Sequence, residues 1–155
     1  MTIKNSYLLS VLFFLSHLGI FGQDTINFKW IEHAQTEFHC AFIEDLHVIR
    51  NQDQFDSLVA VIDTNCLKSS PAPAINFKKN TLVGFGAGAS GCGTPIIGLK
   101  FEKKNKKTVV VHIKITSSGL CKGYFYGKTW CVIPKVSNRT DFEVDINRVH
   151  LTTSE

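Results

Sequence analysis

The residues of this chain that could do chemistry are a glycine-rich run, a histidine cluster, five cysteines and an aromatic segment near residue 125. Gly86-Ala87-Gly88-Ala89-Ser90-Gly91 matches G-x-G-x-x-G and follows a predicted strand. In a dinucleotide site such glycines let a helix N-terminus approach a pyrophosphate. That chemistry needs a helix after the glycines. Here Cys92-Gly93-Thr94-Pro95 leads into another strand pattern, so no βαβ unit exists and no cofactor is expected. The run reads instead as a flexible, exposed contact loop, with Gly88, Ser90 and Gly91 as its contact residues.

His33, His39, Cys40 and His47 bring imidazole and thiol ligands close together in sequence, a set that suits zinc or copper. In an extended chain the three histidines share one parity. Their spacing fits no structural zinc pattern, and the chain holds no Cys-x-x-Cys pair, so no metal is expected. A Cys–His nucleophile has no local signature. Ser90 sits in Gly88-Ala89-Ser90-Gly91-Cys92, which is not the G-x-S-x-G elbow. The carboxylates are thinly spread, and no catalytic residue is assigned.

Gly119 to Trp130 is the segment that most invites a partner. It combines glycines and lysines with Tyr124, Phe125, Tyr126 and Trp130, and aromatics near a loop supply large, rigid contact area. On a strand Phe125 and Trp130 face opposite sides. With Phe125 inward, Tyr124, Tyr126 and Trp130 share the other face, which is either covered by a helix or exposed as a binding patch. Lys103 to Lys107 is a basic run around an asparagine. It could touch an acidic polymer; the plainer reading is a solvated hairpin tip that discourages edge aggregation. Asn138-Arg139-Thr140 fits a short glycosylation pattern.

The elements that must position these residues are mainly strands. Phe28, Trp30 and Ile31 suggest a first strand, and Leu46 to Ile49 another. Phe55, Leu58, Val59 and Ile62 fall at i, i+3, i+4 and i+7, which predicts one helix near residues 51–64. Asn51 can cap it, with Gln54 three residues on. Ser69 to Pro73 is a loop, since its prolines remove donors and fix φ. From Thr81 the period changes to two. Ile97, Leu99 and Phe101, then Val109, Val111, Ile113 and Ile115, alternate with other residues on either side of the lysine run, an antiparallel hairpin with its turn at Asn105. Phe125 to Ile133 and Phe142 to Ile146 supply the last strands. The expected fold is mainly β (α+β), an antiparallel sheet or sandwich with one packed helix.

The N-terminus predicts export. Lys4 is a positive n-region, Tyr7 to Leu15 a short apolar run, and Gly22-Gln23 a small-residue cleavage region. The run is interrupted by Ser10, Ser16, His17 and Gly19 and falls short of the ~18–20 apolar residues of a spanning helix. Residues 1–22 are therefore expected to be a signal peptide, and 23–155 a single β-rich domain that is secreted or periplasmic, with no stable membrane insertion after cleavage. Losing Lys4 leaves 16 basic residues against 13 acidic, a mild balance that does not imply nucleic acid. In an oxidising compartment the five cysteines read as disulfide partners, with one left over. The hairpin brings Cys92 and Cys121 to the same open end, so they are the expected bridge; Cys40, Cys66 and Cys131 stay unassigned.

Val48 to Leu58, then Ile75-Asn76-Phe77-Lys78-Lys79-Asn80-Thr81-Leu82-Val83-Gly84-Phe85-Gly86, the glycine run, the alternating hairpin and Trp130-Cys131-Val132-Ile133-Pro134-Lys135 occur in an order that resembles the C-terminal domain family of PrcB, a subunit of bacterial protease complexes. The resemblance covers roughly residues 47–136. Where family loops often carry a Thr-Gly-Gly-Tyr-like sequence, this chain has Ser90-Gly91-Cys92-Gly93-Thr94. The resemblance implies a non-catalytic domain that binds or stabilises a secreted protease, and it names no catalytic residues. The expected function is binding of another exported protein, such as a protease it supports or inhibits, through segments 86–95 and 117–128. The alternative is a small-ligand or glycan module using Tyr124, Tyr126 and Trp130.

Overall fold

The computed structural model describes residues 29–31 and 34–152. The segment 1–22 expected to be a signal peptide, Phe28 of the expected first strand and His33 lie outside the described residues. In chain order the elements are β1 (Lys29–Ile31), β2 (Ala34–Thr36), β3 (Asp45–Ile49), α1 (Gln52–Ala60), α2 (Thr64–Ser69), β4 (Asn80–Gly91), β5 (Ile96–Lys103), β6 (Thr108–Ser118), β7 (Gly123–Pro134) and β8 (Asp141–Leu151). They form two four-stranded sheets, β1-β5-β6-β8 and β2-β7-β4-β3. No helix among the described residues is long and apolar enough to cross a membrane.

The sheets pack face to face as a sandwich. Period-two alternation places Val109, Val111, Ile113 and Ile115 of β6 and Ile97, Leu99 and Phe101 of β5 on the inner face, against Val83 and Phe85 of β4 and Cys131 and Ile133 of β7. The β2-β7-β4-β3 sheet is covered on its other face too. Phe38, Ala41 and Ile43 of the segment before β3, Phe55 of α1, and Phe77 pack on Leu82 and Trp130. That double cover is why β4 reads as a continuous apolar run, with both Leu82 and Val83 at 0 % exposure.

Helix α1 forms as its stripe predicts, and Asn51 caps it by accepting from the Gln54 amide (2.8 Å). It ends at Ala60 and not at Thr64. A second short helix, α2, follows with its own cap at Asp63. A bridge between Cys40 and Cys66 ties α2 to the covering segment. The β5–β6 hairpin turns about Lys106, because Lys103 pairs with Val109; the expected turn at Asn105 is displaced by one residue.

Two further expectations are corrected. First, the last strand is not antiparallel. The chain leaves β7, crosses to the other sheet through residues 135–140, and begins β8 where β6 begins, so the two run parallel from Thr108↔Asp141 to Ser118↔Leu151. Second, the glycine run is not a flexible loop. Residues through Gly91 belong to β4 and pair with β7 along their whole length. The glycines are there because aromatic rings of β7 lie over them. A Cβ on Gly84 would stand 2.4 Å from the Trp130 ring, and one on Gly88 would stand 2.2 Å from the Tyr124 hydroxyl. G-x-G spacing in this chain is thus a cross-strand aromatic pattern.

Candidate functional site

Of the predicted contact residues, Gly88, Ser90, Gly91 and Tyr124 gather at one end of the sandwich, where β4 ends, β7 begins, and β6 and β8 run out. Cys92 and Cys121 are bonded there, with Cα atoms 4.8 Å apart. The expected pairing holds, because antiparallel β5 and β6 return the chain to its starting end. The staple is buttressed by backbone bonds from Cys92 N–H to Ser118 O (2.8 Å) and from Gly119 N–H to Leu151 O (2.9 Å). Around it Ile96, Leu120, Tyr124, Phe125 and Leu151 are all exposed, Leu120 and Tyr124 by 78 % and 73 %.

The aromatic face of β7 is divided. Tyr124, Tyr126 and Trp130 do share one face, opposite the inner-face residues Cys131 and Ile133. The segment before β3 covers only part of it. Trp130 is 2 % exposed and packs on Phe38 at 5.6 Å between ring centroids, so as a contact residue it is corrected to a core residue. Tyr126 is half-buried beneath Phe42, whose ring stacks on it at 5.0 Å, and its hydroxyl donates to Ile43 O. Tyr124 lies beyond the cover and is open to solvent.

Strand pairing leaves a free edge beside these rings. β3 begins at Asp45, which pairs with Gly86. Asp45 has a positive φ of 57°, a conformation that turns the chain away. Ala87 to Gly91 are therefore paired with β7 on one side only. A cleft of about 470 Å³ wraps this edge, lined by Gly88, Ser90 and Tyr124 together with Ser117, Arg148 and His150. Arg148 Nη1 donates to the Gly88 carbonyl (3.2 Å), and the Ser117 hydroxyl lies 2.9 Å from His150 Nδ1. Sequence reasoning missed Ser117, Arg148 and His150. Only the parallel β6–β8 pairing, which sets Ser117 against His150 in register, brings them here.

The cleft can hold an extended chain and an anion. Unpaired strand edges accept backbone hydrogen bonds, and Arg148 carries a permanent cation with a planar donor fork. A serine beside an imidazole is also half of a hydrolytic relay. Among the described residues no carboxylate bonds the other nitrogen of His150.

The remaining sequence-level candidates lie elsewhere. His39 is beside Glu37 (3.4 Å) near the protein surface and His47 is on β3. Among the described residues no group of three or more His, Cys, Asp or Glu side chains stands close enough to share a metal ion. Cys131, the unpaired cysteine, is buried in the core, where desolvation pushes its thiol up to about 11. One histidine the sequence did not single out is His112, on the solvent face of β6. Its Nδ1 is 2.9 Å from Asp145 of β8 and its Nε2 is 2.8 Å from Glu102 of β5. These hydrogen bonds, Asp145 first and then Glu102, raise its pKa.

Compared with protein-family models, with curated proteins and with solved structures, the chain matches none of them.

Proposed function

We propose that this is an exported, non-catalytic protein-binding domain that takes an extended segment of its partner at the stapled end. The free edge of β4 at Ala87–Gly91, in a cleft that exposed Tyr124 also lines, carries this reading. A partner strand added there meets the backbone groups that β7 leaves unpaired and takes the place of Arg148 on the Gly88 carbonyl. The rigid apolar rim supplies contact area at small entropic cost. Two disulfides fit an oxidising compartment, and with the N-terminal leader pattern they support a secreted or periplasmic location. The resemblance to the PrcB C-terminal domain family points to a protease as the partner, one that this domain stabilises or inhibits. A glycan module is favoured less, since Trp130 is buried and Tyr126 half-buried, which leaves one open ring of the three.

The test is co-purification with proteases secreted by the source organism, using the intact protein and the variants Tyr124→Ala and Leu120→Asp. The intact protein is expected to form a complex and to change the protease's half-life. Each variant, folded normally, is expected to lose affinity by about tenfold, the scale of one exposed apolar anchor of ~1–2 kcal/mol. Equal binding by both variants would remove the stapled end as the site, and no complex with any protease would remove the protease reading.

A further inference from the structure

The opposite end of the sandwich carries a different chemistry. Four connections meet there: the β3–α1 junction at Arg50, the turn at Lys78–Lys79, the β5–β6 turn from Lys103 to Lys107, and the β7–β8 crossover with Lys135 and Arg139. Backbone bonds weld them together, from Lys135 N–H to Lys79 O (2.7 Å) and from Asp141 N–H to Lys107 O (2.8 Å). The result gathers nine of the chain's 17 lysine and arginine residues at one pole. The carboxylates on the same connections and element ends are Asp53, Glu102, Asp141 and Glu143; Glu102 lies 2.8 Å from His112 Nε2 and Glu143 is held by Lys104 at 2.9 Å.

The cations border two clefts. One, of about 600 Å³, is lined by Lys103, Lys106 and Lys135. Its neighbour, of about 550 Å³, is lined by Lys135, Lys78 and Arg50. Lys135, whose ammonium also donates to Arg50 O, lines both, so the two clefts adjoin and together make a track with cations along it. Arg50 is fixed along it: Nη2 donates to Thr140 O (2.7 Å), its guanidinium lies 5.4 Å from the Phe142 ring centroid, and its buried Nε has no partner. Lys103, Lys106, Lys78 and Lys135 are exposed.

We infer that this pole is a second binding site, independent of the stapled end, for a linear acidic polysaccharide. A track of separated point charges suits an extended chain bearing an anion on each successive residue. Lysine ammonium groups bind carboxylates without the bidentate geometry that would select one anion. Among the described residues, none of the exposed large hydrophobics lines either cleft. The track therefore offers no exposed ring for stacking nucleobases and no apolar wedge for a bilayer. One pole would hold the protein on an anionic matrix while the other engages a protein.

The experiment measures affinity for alginate, with neutral dextran, single-stranded DNA and anionic-lipid vesicles as comparisons. The purified protein carries both disulfides. The variants are Lys103→Glu/Lys106→Glu, Lys78→Glu, and Lys68→Glu as a control on exposed α2. Alginate binding is expected to weaken steeply with salt, by about tenfold or more in the double variant and several-fold in Lys78→Glu, and to stay unchanged in Lys68→Glu. Dextran should not bind. Equal loss in Lys68→Glu would show diffuse charge without a track. Salt-independent binding, or tighter binding to DNA or vesicles than to alginate, would overturn the assignment.

Discussion

Replacing Cys92 and Cys121 together by serine tests whether the staple organises the site. The bridge joins residues 29 apart in sequence. Loop-closure entropy for a ring of that size constrains the unfolded chain by about 3.5 kcal/mol at 25 °C. For a domain of this size that corresponds to a fall in Tm on the order of 10–15 °C. The loss should be local in character. Cys92 packs on Gly119, whose φ is 82° and whose Cβ position would lie 2.2 Å from Cys92 Sγ, so the ends of β4 and β7 should fray first. Denaturant unfolding followed by tryptophan fluorescence gives the free energy. Hydrogen exchange gives the distribution: faster exchange at 87–91 and 123–126, with the amides around Trp130 still protected in the native state. Partner binding should fall with the fraying. A loss below about 1 kcal/mol, or exchange raised evenly through the sandwich, would refute the reasoning that this bridge pins one end of the sandwich.

Three further outcomes follow from the packing. Gly84→Ala drives a methyl against Trp130 and Ile43 at 2.4–2.7 Å, which should cost about 1–3 kcal/mol in chemical denaturation; a neutral result would mean the Trp130 ring moves freely. Thiol titration should find one reactive cysteine only after denaturation, since Cys131 is buried and its thiol is raised to about 11; rapid native alkylation at pH 8 would contradict that burial. His112 gains hydrogen bonds to Asp145 and Glu102 on folding and its pKa is raised above 6.5, so its stabilisation is complete below that value and is lost as pH rises through the raised pKa. Stability measured across neutral pH should therefore decline with a slope that His112→Gln abolishes, and an unchanged slope would remove the pair of carboxylates as its cause.

The two classes of secondary structure were legible because each leaves a local period. The alternation of Val109, Val111, Ile113 and Ile115 fixes a strand and its inward face, and the stripe from Phe55 to Ile62 with Asn51 ahead of it fixes a helix and its start. The Cys92–Cys121 bridge was legible for a related reason: an antiparallel hairpin returns the chain to its starting end, whatever the turn's centre. Helix α2 was not, because six residues hold too few turns to show a stripe.

What only the tertiary structure decided is where each strand's second neighbour lies. Gly84, Gly86 and Gly88 look like a loop in isolation, and become a strand because Trp130, Tyr126 and Tyr124 lie over them from the next strand. Whether an aromatic on that face is core or surface depends on how far the segment carrying Phe38 and Ile43 reaches: it covers Trp130 and stops short of Tyr124. The parallel return of β8 places His150 on Ser117 and Arg148 on Gly88 across long stretches of sequence. Period and composition record what one chain segment prefers to bury. The free edge of β4 and the lysine track arise where separate segments meet or fail to meet, and no single segment carries that information.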